Sequence, residues 1–202
     1  MRVGLFGGSF DPVHNGHVRP VLEVMEKAGL DRVIYCPTAQ PPHKPGRDFA
    51  PALLRYAMVE LALLPHPRLH VSALELQAKA PTYTYDTVRH FQASRPDWDL
   101  QLLMGVDAFD ELDEYHRWAD ILEAIPILVM LRAGCGQRRP ATDPRPAVEA
   151  AVKQGRVSFL TNRTVAASST KLREIFAEGG DPPDGWVPDA VVELIHKYRL
   201  YR

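Results

Sequence analysis

The chain has 202 residues, 46% hydrophobic and 24% charged, a size and balance that fit a water-soluble globular protein with one large core, either one domain or one domain with a small appendage. A formal net charge of -1 and a pI near 6.7 exclude an extended basic surface for nucleic acid, so any binding of phosphate must be local. Cys36 and Cys135 form no disulfide framework and no zinc spacing, the longest apolar run (Ile125 to Leu131) is too short to cross a bilayer and contains a proline, and four apolar residues before the first glycine-rich turn are too few for a signal peptide. The expectation is a cytoplasmic protein with no membrane and no nucleic-acid partner.

Apolar runs at Val3 to Phe6, Val33 to Cys36, Leu69 to Ala73, Leu100 to Met104, Ile127 to Leu131 and Val157 to Leu160 read as buried strands, with helical patterns between most of them. The alternation predicts an α/β fold, a Rossmann-like parallel sheet with helices on both faces, whose ligands sit beyond the C-terminal strand ends.

The first such end carries Gly7-Gly8-Ser9-Phe10-Asp11-Pro12-Val13-His14-Asn15-Gly16-His17. Val18, Val21, Leu22 and Met25 then recur at helical spacing, which starts a helix near Gly16 or His17, with Pro20 expected to kink or disturb its first turn. Glycines let the backbone approach a ligand, and the N–H groups and dipole of a helix N-terminus favour an anion, with His14 and His17 as donors to it. The alternative is that both histidines cap the helix. The glycine spacing fits neither the dinucleotide fingerprint Gly-x-Gly-x-x-Gly nor a Walker loop.

Residues Gly8 to His17 spell Gly-x-Phe-Asp-x-x-His-x-Gly-His, the signature of the HxGH nucleotidyltransferases, and Gly-Gly-Ser-Phe-Asp-Pro resembles the nicotinate-nucleotide adenylyltransferases within that superfamily. The resemblance implies an ATP site at Gly7, Gly8, Ser9, Phe10, His14 and His17.

Downstream, Pro37 to Pro45 is a stiff proline-rich loop, and its Pro-Pro-His-Lys resembles the same family, which implies that Lys44 meets phosphate. Ala52 to Leu64 reads as a helix burying Leu53, Leu54, Ala57, Met58, Leu61 and Leu64, with Arg55 a candidate ligand contact. Glu75 and Thr82-Tyr83-Thr84-Tyr85-Asp86-Thr87 precede a helix from Val88 to Ala93, for which Thr84 reads as the N-cap. By resemblance this stretch lines the pyridine-nucleotide pocket, with Thr84 and Tyr85 at the nicotinate end. Gly105 and Asp107 follow the fourth strand and match the family's Gly-x-Asp, which implies ribose or nucleotide contacts; Asp107, Asp110, Glu111, Asp113 and Glu114 otherwise read as a solvated helix face. Tyr115, followed by His116, stands where the family has a stacking tryptophan. Ala133 to Pro146 reads as a mobile loop.

Ser168, Ser169, Thr170 and Arg173 match the family's Ser-Ser-Thr-x-x-Arg, implying a triphosphate clamp; neither Ser169 nor Thr170 as N-cap gives a capping box. A last helix is expected from Trp186-Val187-Pro188 through Tyr198. The chain is expected to form one nucleotidyltransferase domain, 1 to 202, with its C-terminal helical part from about 164 packed on it. The reaction implied is adenylyl transfer from ATP, with Mg²⁺, to nicotinate mononucleotide. It would use His14, His17, Lys44, Ser169 and Arg173, with no nucleophilic side chain and no assigned metal ligand, although Asp11 is available. A homo-oligomer is compatible with this reading. The alternatives are transfer to nicotinamide mononucleotide or phosphopantetheine, or a non-catalytic nucleotide sensor.

Overall fold

A computed structural model describes residues 1–39, 48–77, 82–132, 145–163 and 165–202. Lys44 with its proline-rich loop, Cys135 and the segment 133–144 lie outside the described residues.

In chain order the elements are β1 (Arg2–Gly8), α1 (Asn15–Ala28), β2 (Arg32–Pro37), α2 (Ala52–Leu63), β3 (Leu69–Val71), a 3₁₀ turn (Glu75–Gln77), α3 (Thr84–Ser94), β4 (Asp99–Gly105), α4 (Val106–Asp110), a second 3₁₀ turn (Leu112–Glu114), α5 (Trp118–Ala124), β5 (Ile127–Arg132), α6 (Pro146–Lys153), β6 (Val157–Asn162), α7 (Ser169–Ala177) and α8 (Asp189–Tyr198). The strands form a parallel sheet in the order β3-β2-β1-β4-β5-β6. All six apolar runs are strands of it. The chain winds outward first through β2 and β3, then returns to place β4 on the other side of β1. Such a reversal opens a crevice at the C-terminal ends of β1 and β4, where neighbouring loops leave in opposite directions.

Side-chain alternation divides the core into two layers. Phe6, Val33, Tyr35, Leu103, Leu128 and Met130 face one layer with Val18, Val21, Val24 and Met25 of α1, Met58 and Leu63 of α2, Leu172 and Phe176 of α7, and Val191 and Ile195 of α8. Val3, Leu5, Ile34, Cys36, Leu102, Met104, Ile127 and Val129 face the other with residues of α3 to α6. Both sheet faces are therefore covered, as continuous apolar strands require.

Several local expectations are corrected. In α2, Leu53 and Leu64 are 72% and 80% exposed, while Arg55, Met58, Val59, Ala62 and Leu63 are buried. Apolar residues occupy nearly every side of this helix, so periodicity does not select the face; contact with the sheet does. Helix α3 begins at Thr84 with Tyr83 in the N-cap position and no side-chain cap, so Thr84 is the first helical residue and not the cap. β3 ends at Val71, two residues short of Ala73, and Pro146, expected in a loop, is the first residue of α6, where a proline loses no helical hydrogen bond. Trp186 and Val187 precede α8, whose N-cap position is Pro188. Pro20 sits buried inside α1, which runs without a break through it; in the first turn the His17 N–H bonds the His14 carbonyl at 2.7 Å. Among the described residues no helix is long and apolar enough to cross a membrane.

Candidate active site

β1 delivers Gly7 and Gly8 to the crevice, and β4, paired beside it, delivers Gly105. The loop between β1 and α1 folds inward over its own aromatic ring. Phe10 is buried at φ 46° and packs between Phe6, Tyr35 and His17. This is a left-handed conformation that a bulky side chain holds only where its surroundings impose it. A Cβ on Gly8 would stand 2.9 Å from the Phe10 ring, so the second glycine is required by packing, whereas Gly7 faces open space.

At the start of α1 the two histidines form a reciprocal cap. His14 Nδ1 accepts the Gly16 N–H at 3.0 Å, and His17 Nδ1 accepts the His14 N–H at 3.3 Å. In a neutral imidazole the nitrogen that accepts leaves the proton on the other, so this cap puts the hydrogen of each ring on Nε2. Capping and donation to an anion are thus compatible roles of one side chain, served by different nitrogens. A Cβ on Gly16 would meet the His14 ring at 2.8 Å, which makes glycine a condition of this ring placement. Tyr35, buried in β2, donates its hydroxyl to the His17 carbonyl at 2.8 Å and anchors the turn from below.

The second helix N-terminus at the loop is that of α7. Ser168, not Ser169 or Thr170, is its N-cap, with Oγ accepting the Lys171 N–H at 3.2 Å. Ser169 Oγ donates to the Pro12 carbonyl at 3.0 Å; Arg173 Nη1 donates to the Asp11 carbonyl at 2.6 Å and Nη2 to Thr170 Oγ1 at 3.1 Å. The Ser-Ser-Thr-x-x-Arg stretch and the histidine loop, far apart in sequence, are therefore bonded directly to each other through the carbonyls flanking the cis Asp11–Pro12 peptide. Lys171 lies over the Trp186 ring at 5.2 Å, on the segment whose Trp186 carbonyl accepts the Asn15 N–H at 2.8 Å.

Arg55 does not contact a ligand site. It is 1% exposed, and its guanidinium donates to three carbonyls: Ser9 at 2.6 Å, Ala39 at 2.8 Å and Ala50 at 2.9 Å. Burial lowers its pKa, opposed by the charge of the Asp11 carboxylate. It fastens the loop after β1 to the two points where the chain enters and leaves 40–47. Asp11 is fully buried, with Oδ1 accepting the Tyr201 hydroxyl at 2.8 Å and the Ala50 N–H at 3.2 Å, which removes it from reach as a ligand to a solvated ion. Neither Tyr201 nor Tyr35 stands out by residue type. The one available signal is an arginine in a helix that is mostly apolar.

On the opposite side of the crevice, the start of α3 meets the turn before α5. Tyr83 packs on His116 with ring centres 4.5 Å apart, and the Arg117 guanidinium lies 4.0 Å over the Tyr85 ring, with Arg117 itself at φ 57°. Tyr115 is half-buried beside them, its phenol pushed up by burial and by the charge of Glu111. Thr84 and Tyr85 occupy the first turn of α3. Beneath it Glu75 is buried, accepts the Thr87 hydroxyl at 2.8 Å, and is raised by desolvation above the ordinary carboxylate value, with hydroxyl hydrogen bonds opposing the shift. Asp107 and the acidic residues Asp110, Glu111, Asp113 and Glu114 are exposed.

Residues 5–175 match the family model for cytidylyltransferase-like proteins. The probable nicotinate-nucleotide adenylyltransferase of Symbiobacterium thermophilum is 36% identical over 203 aligned positions, covering 99% of this chain and 95% of the relative. That of Pseudomonas paraeruginosa is 37% identical, covering 100% and 97%. The chain belongs to the nicotinate-nucleotide adenylyltransferase family. Among solved structures, the nicotinic acid mononucleotide adenylyltransferase of Plasmodium falciparum, complexed with NaAD, superposes with a TM-score of 0.77 over 99% of this chain and 97% of that one, at 14% identity. At that identity the likeness speaks for the fold, and it extends over the whole Rossmann-like unit.

Proposed function

We propose that this protein transfers the adenylyl group of ATP to nicotinate mononucleotide, giving nicotinate adenine dinucleotide and pyrophosphate, in NAD biosynthesis. The observation that carries the reading is the direct bonding of Ser169 and Arg173 of α7 to the loop that leads into α1 and its paired histidines, at the crevice between β1 and β4. Two anion-favouring ends aimed at one loop suit a polyphosphate substrate.

The reaction forms a bond from a phosphate oxygen of the mononucleotide to the α-phosphorus of ATP and breaks the bond from that phosphorus to the oxygen bridging to the β-phosphate. The attacking monoester has a second pKa of about 6 and is anionic at neutral pH, so no general base is required. What must be supplied is stabilisation of accumulating negative charge, by groups fixed before the reaction begins. Nε2–H of His14 and His17 donate to the phosphates through the transition state. Arg173 and the first-turn N–H groups of α7 hold the departing pyrophosphate. Ser169 serves there through its backbone, because its hydroxyl proton is committed to Pro12. Lys44 neutralises the attacking phosphate. Gly7, Gly8, Ser9 and Phe10 shape the ATP site with Gly105, Asp107, Ser168 and Thr170, while Thr84, Tyr85, Tyr115 and His116 hold the nicotinate end.

Among the described residues no three His, Cys, Asp or Glu side chains gather as a metal cage. These residues would leave Mg²⁺ to be held by the triphosphate oxygens and its own waters, and bound there it would supply charge neutralisation. The chain acts as one unit, 1 to 202, with the part from about 164 packed on the nucleotide-binding sheet, in the cytoplasm.

Pyrophosphate release by the purified protein with ATP and Mg²⁺, offered nicotinate mononucleotide, nicotinamide mononucleotide and phosphopantetheine in parallel, tests the reading. Strong preference for the first is expected. Release with only another acceptor overturns the substrate assignment, and ATP binding without release from any acceptor overturns catalysis.

A further inference from the structure

The reaction proposed above gives no part to Asp11 or Tyr201, yet both sit where its two anion-binding ends meet. Asp11 lies in the histidine loop, three residues before His14, and its carbonyl holds Arg173 of α7 at 2.6 Å. Its carboxylate is buried, and Oδ1 is fixed by the Tyr201 hydroxyl at 2.8 Å and the Ala50 N–H at 3.2 Å, while Oδ2 is buried with no hydrogen-bond partner among the described residues. Tyr201 is seated from the other side. Its ring stacks on Phe176 of α7 with centres 6.2 Å apart and planes 27° apart, and Phe176 is in the core. One side chain thus rests its ring on the helix that carries Ser169 and Arg173 and extends its hydroxyl to the loop that carries His14 and His17.

We propose that Tyr201 is a positioning residue for adenylyl transfer, setting the histidine loop against the N-terminus of α7 through its hydrogen bond to Asp11. The inference rests on the function proposed above. The physical reason is the buried carboxylate. With the hydroxyl present, the Asp11 side chain has two donors on one oxygen and one orientation; without it, a single backbone N–H remains, and a buried carboxylate with so little satisfaction turns to find other partners. Turning the Asp11 side chain moves the loop that it belongs to. Binding of nicotinate mononucleotide tolerates such a shift, because its pyridine end is assigned to Thr84, Tyr85, Tyr115 and His116, away from this loop, whereas the transition state needs both helix ends on the transferring phosphate at once. A misplacement of about 1 Å costs on the order of a hundredfold in rate.

The test is Tyr201→Phe, which keeps the ring on Phe176 and removes only the hydroxyl. Wild type and variant are compared for pyrophosphate release from ATP and nicotinate mononucleotide, well below the melting temperature of either. The expected result is a fall in kcat of about tenfold or more with KM for nicotinate mononucleotide within about twofold. Asp11→Ala should show a similar loss, and the double variant no further loss, because both act through one bond. A Tyr201→Phe enzyme that is folded and turns over within about twofold of wild type overturns the proposal whatever its melting temperature, as does additive loss in the double variant. If Asp11→Ala does not fold, Tyr201→Phe decides alone. Should wild type release no pyrophosphate from these substrates, the functional reading fails and the positioning role falls with it. An active wild type with an unaffected variant fails the positioning role alone.

Discussion

The imidazoles of His14 and His17 lie 3.8 Å apart, centre to centre, with 32° between their planes, and each turns Nδ1 back onto a backbone N–H of the first turn of α1. One nitrogen caps and the other donates, so the two roles can be separated by substitution. Asparagine in place of His14 keeps an acceptor near the place of Nδ1 and has nothing at the place of Nε2. His14→Asn should stay within about 0.5 kcal/mol of wild-type stability, since asparagine caps well, while His14→Ala should lose about 1 kcal/mol. Both should lower turnover on the order of a hundredfold or more, as should His17→Ala, by loss of an oxyanion donor. Urea denaturation alongside pyrophosphate release checks this; a His14→Asn enzyme with full turnover would take His14 off the list of donors.

Arg55 satisfies three carbonyls from one buried guanidinium. Arg55→Met fills most of the volume but leaves Ser9, Ala39 and Ala50 without their donor, at about 1 to 3 kcal/mol for each buried group. The expected loss is at least about 3 kcal/mol in chemical denaturation, with turnover falling as well because the loop is released at Ser9. A loss under about 1 kcal/mol would mean that water replaces the guanidinium.

Glu75 links stability to pH. Burial raises its pKa in the folded protein above the ordinary value of 4.5. A carboxyl group raised by folding favours the native state while protonated, so its contribution is fully present below about pH 4.5 and is lost as pH rises through the folded pKa. Wild type should therefore lose stability relative to Glu75→Gln as pH increases above about 4.5. Equal pH dependence in the two, measured by denaturation midpoints from pH 4 to 8, would contradict the burial argument.

Tyr115 stands at the site proposed for the pyridine ring. If it stacks there, Tyr115→Ala should raise KM for nicotinate mononucleotide about 2- to 12-fold, the equivalent of roughly 0.5 to 1.5 kcal/mol, and Tyr115→Trp should lower it, with KM for ATP little changed in both. A KM unchanged by both substitutions would move the pyridine ring elsewhere.

The fold was legible because its signals are local. Six apolar runs of strand length that alternate with helical patterns imply a parallel sheet covered on both faces, and the histidine loop falls at the end of the first. The two segments that bind each other, Gly8 to His17 and Ser168 to Arg173, were likewise readable as motifs. What periodicity could not choose was the inward face of α2, where apolar residues surround the axis and Leu53 and Leu64 end exposed. Nor could composition separate the cap of α7, since Ser168, Ser169 and Thr170 all carry a hydroxyl suited to it.

By itself the sequence determined the parallel α/β class and the position of the glycine- and histidine-bearing loop at the end of β1, since backbone conformation and helix placement there follow from neighbours in the chain. Only the tertiary structure decided which groups hold that loop in place: Arg55 from α2, Tyr35 from β2, and Tyr201 beyond α8 reach it across 18 to 190 positions of chain. Nothing in the local pattern of an arginine or a tyrosine announces a buried carbonyl or carboxylate that distant folding will bring to it.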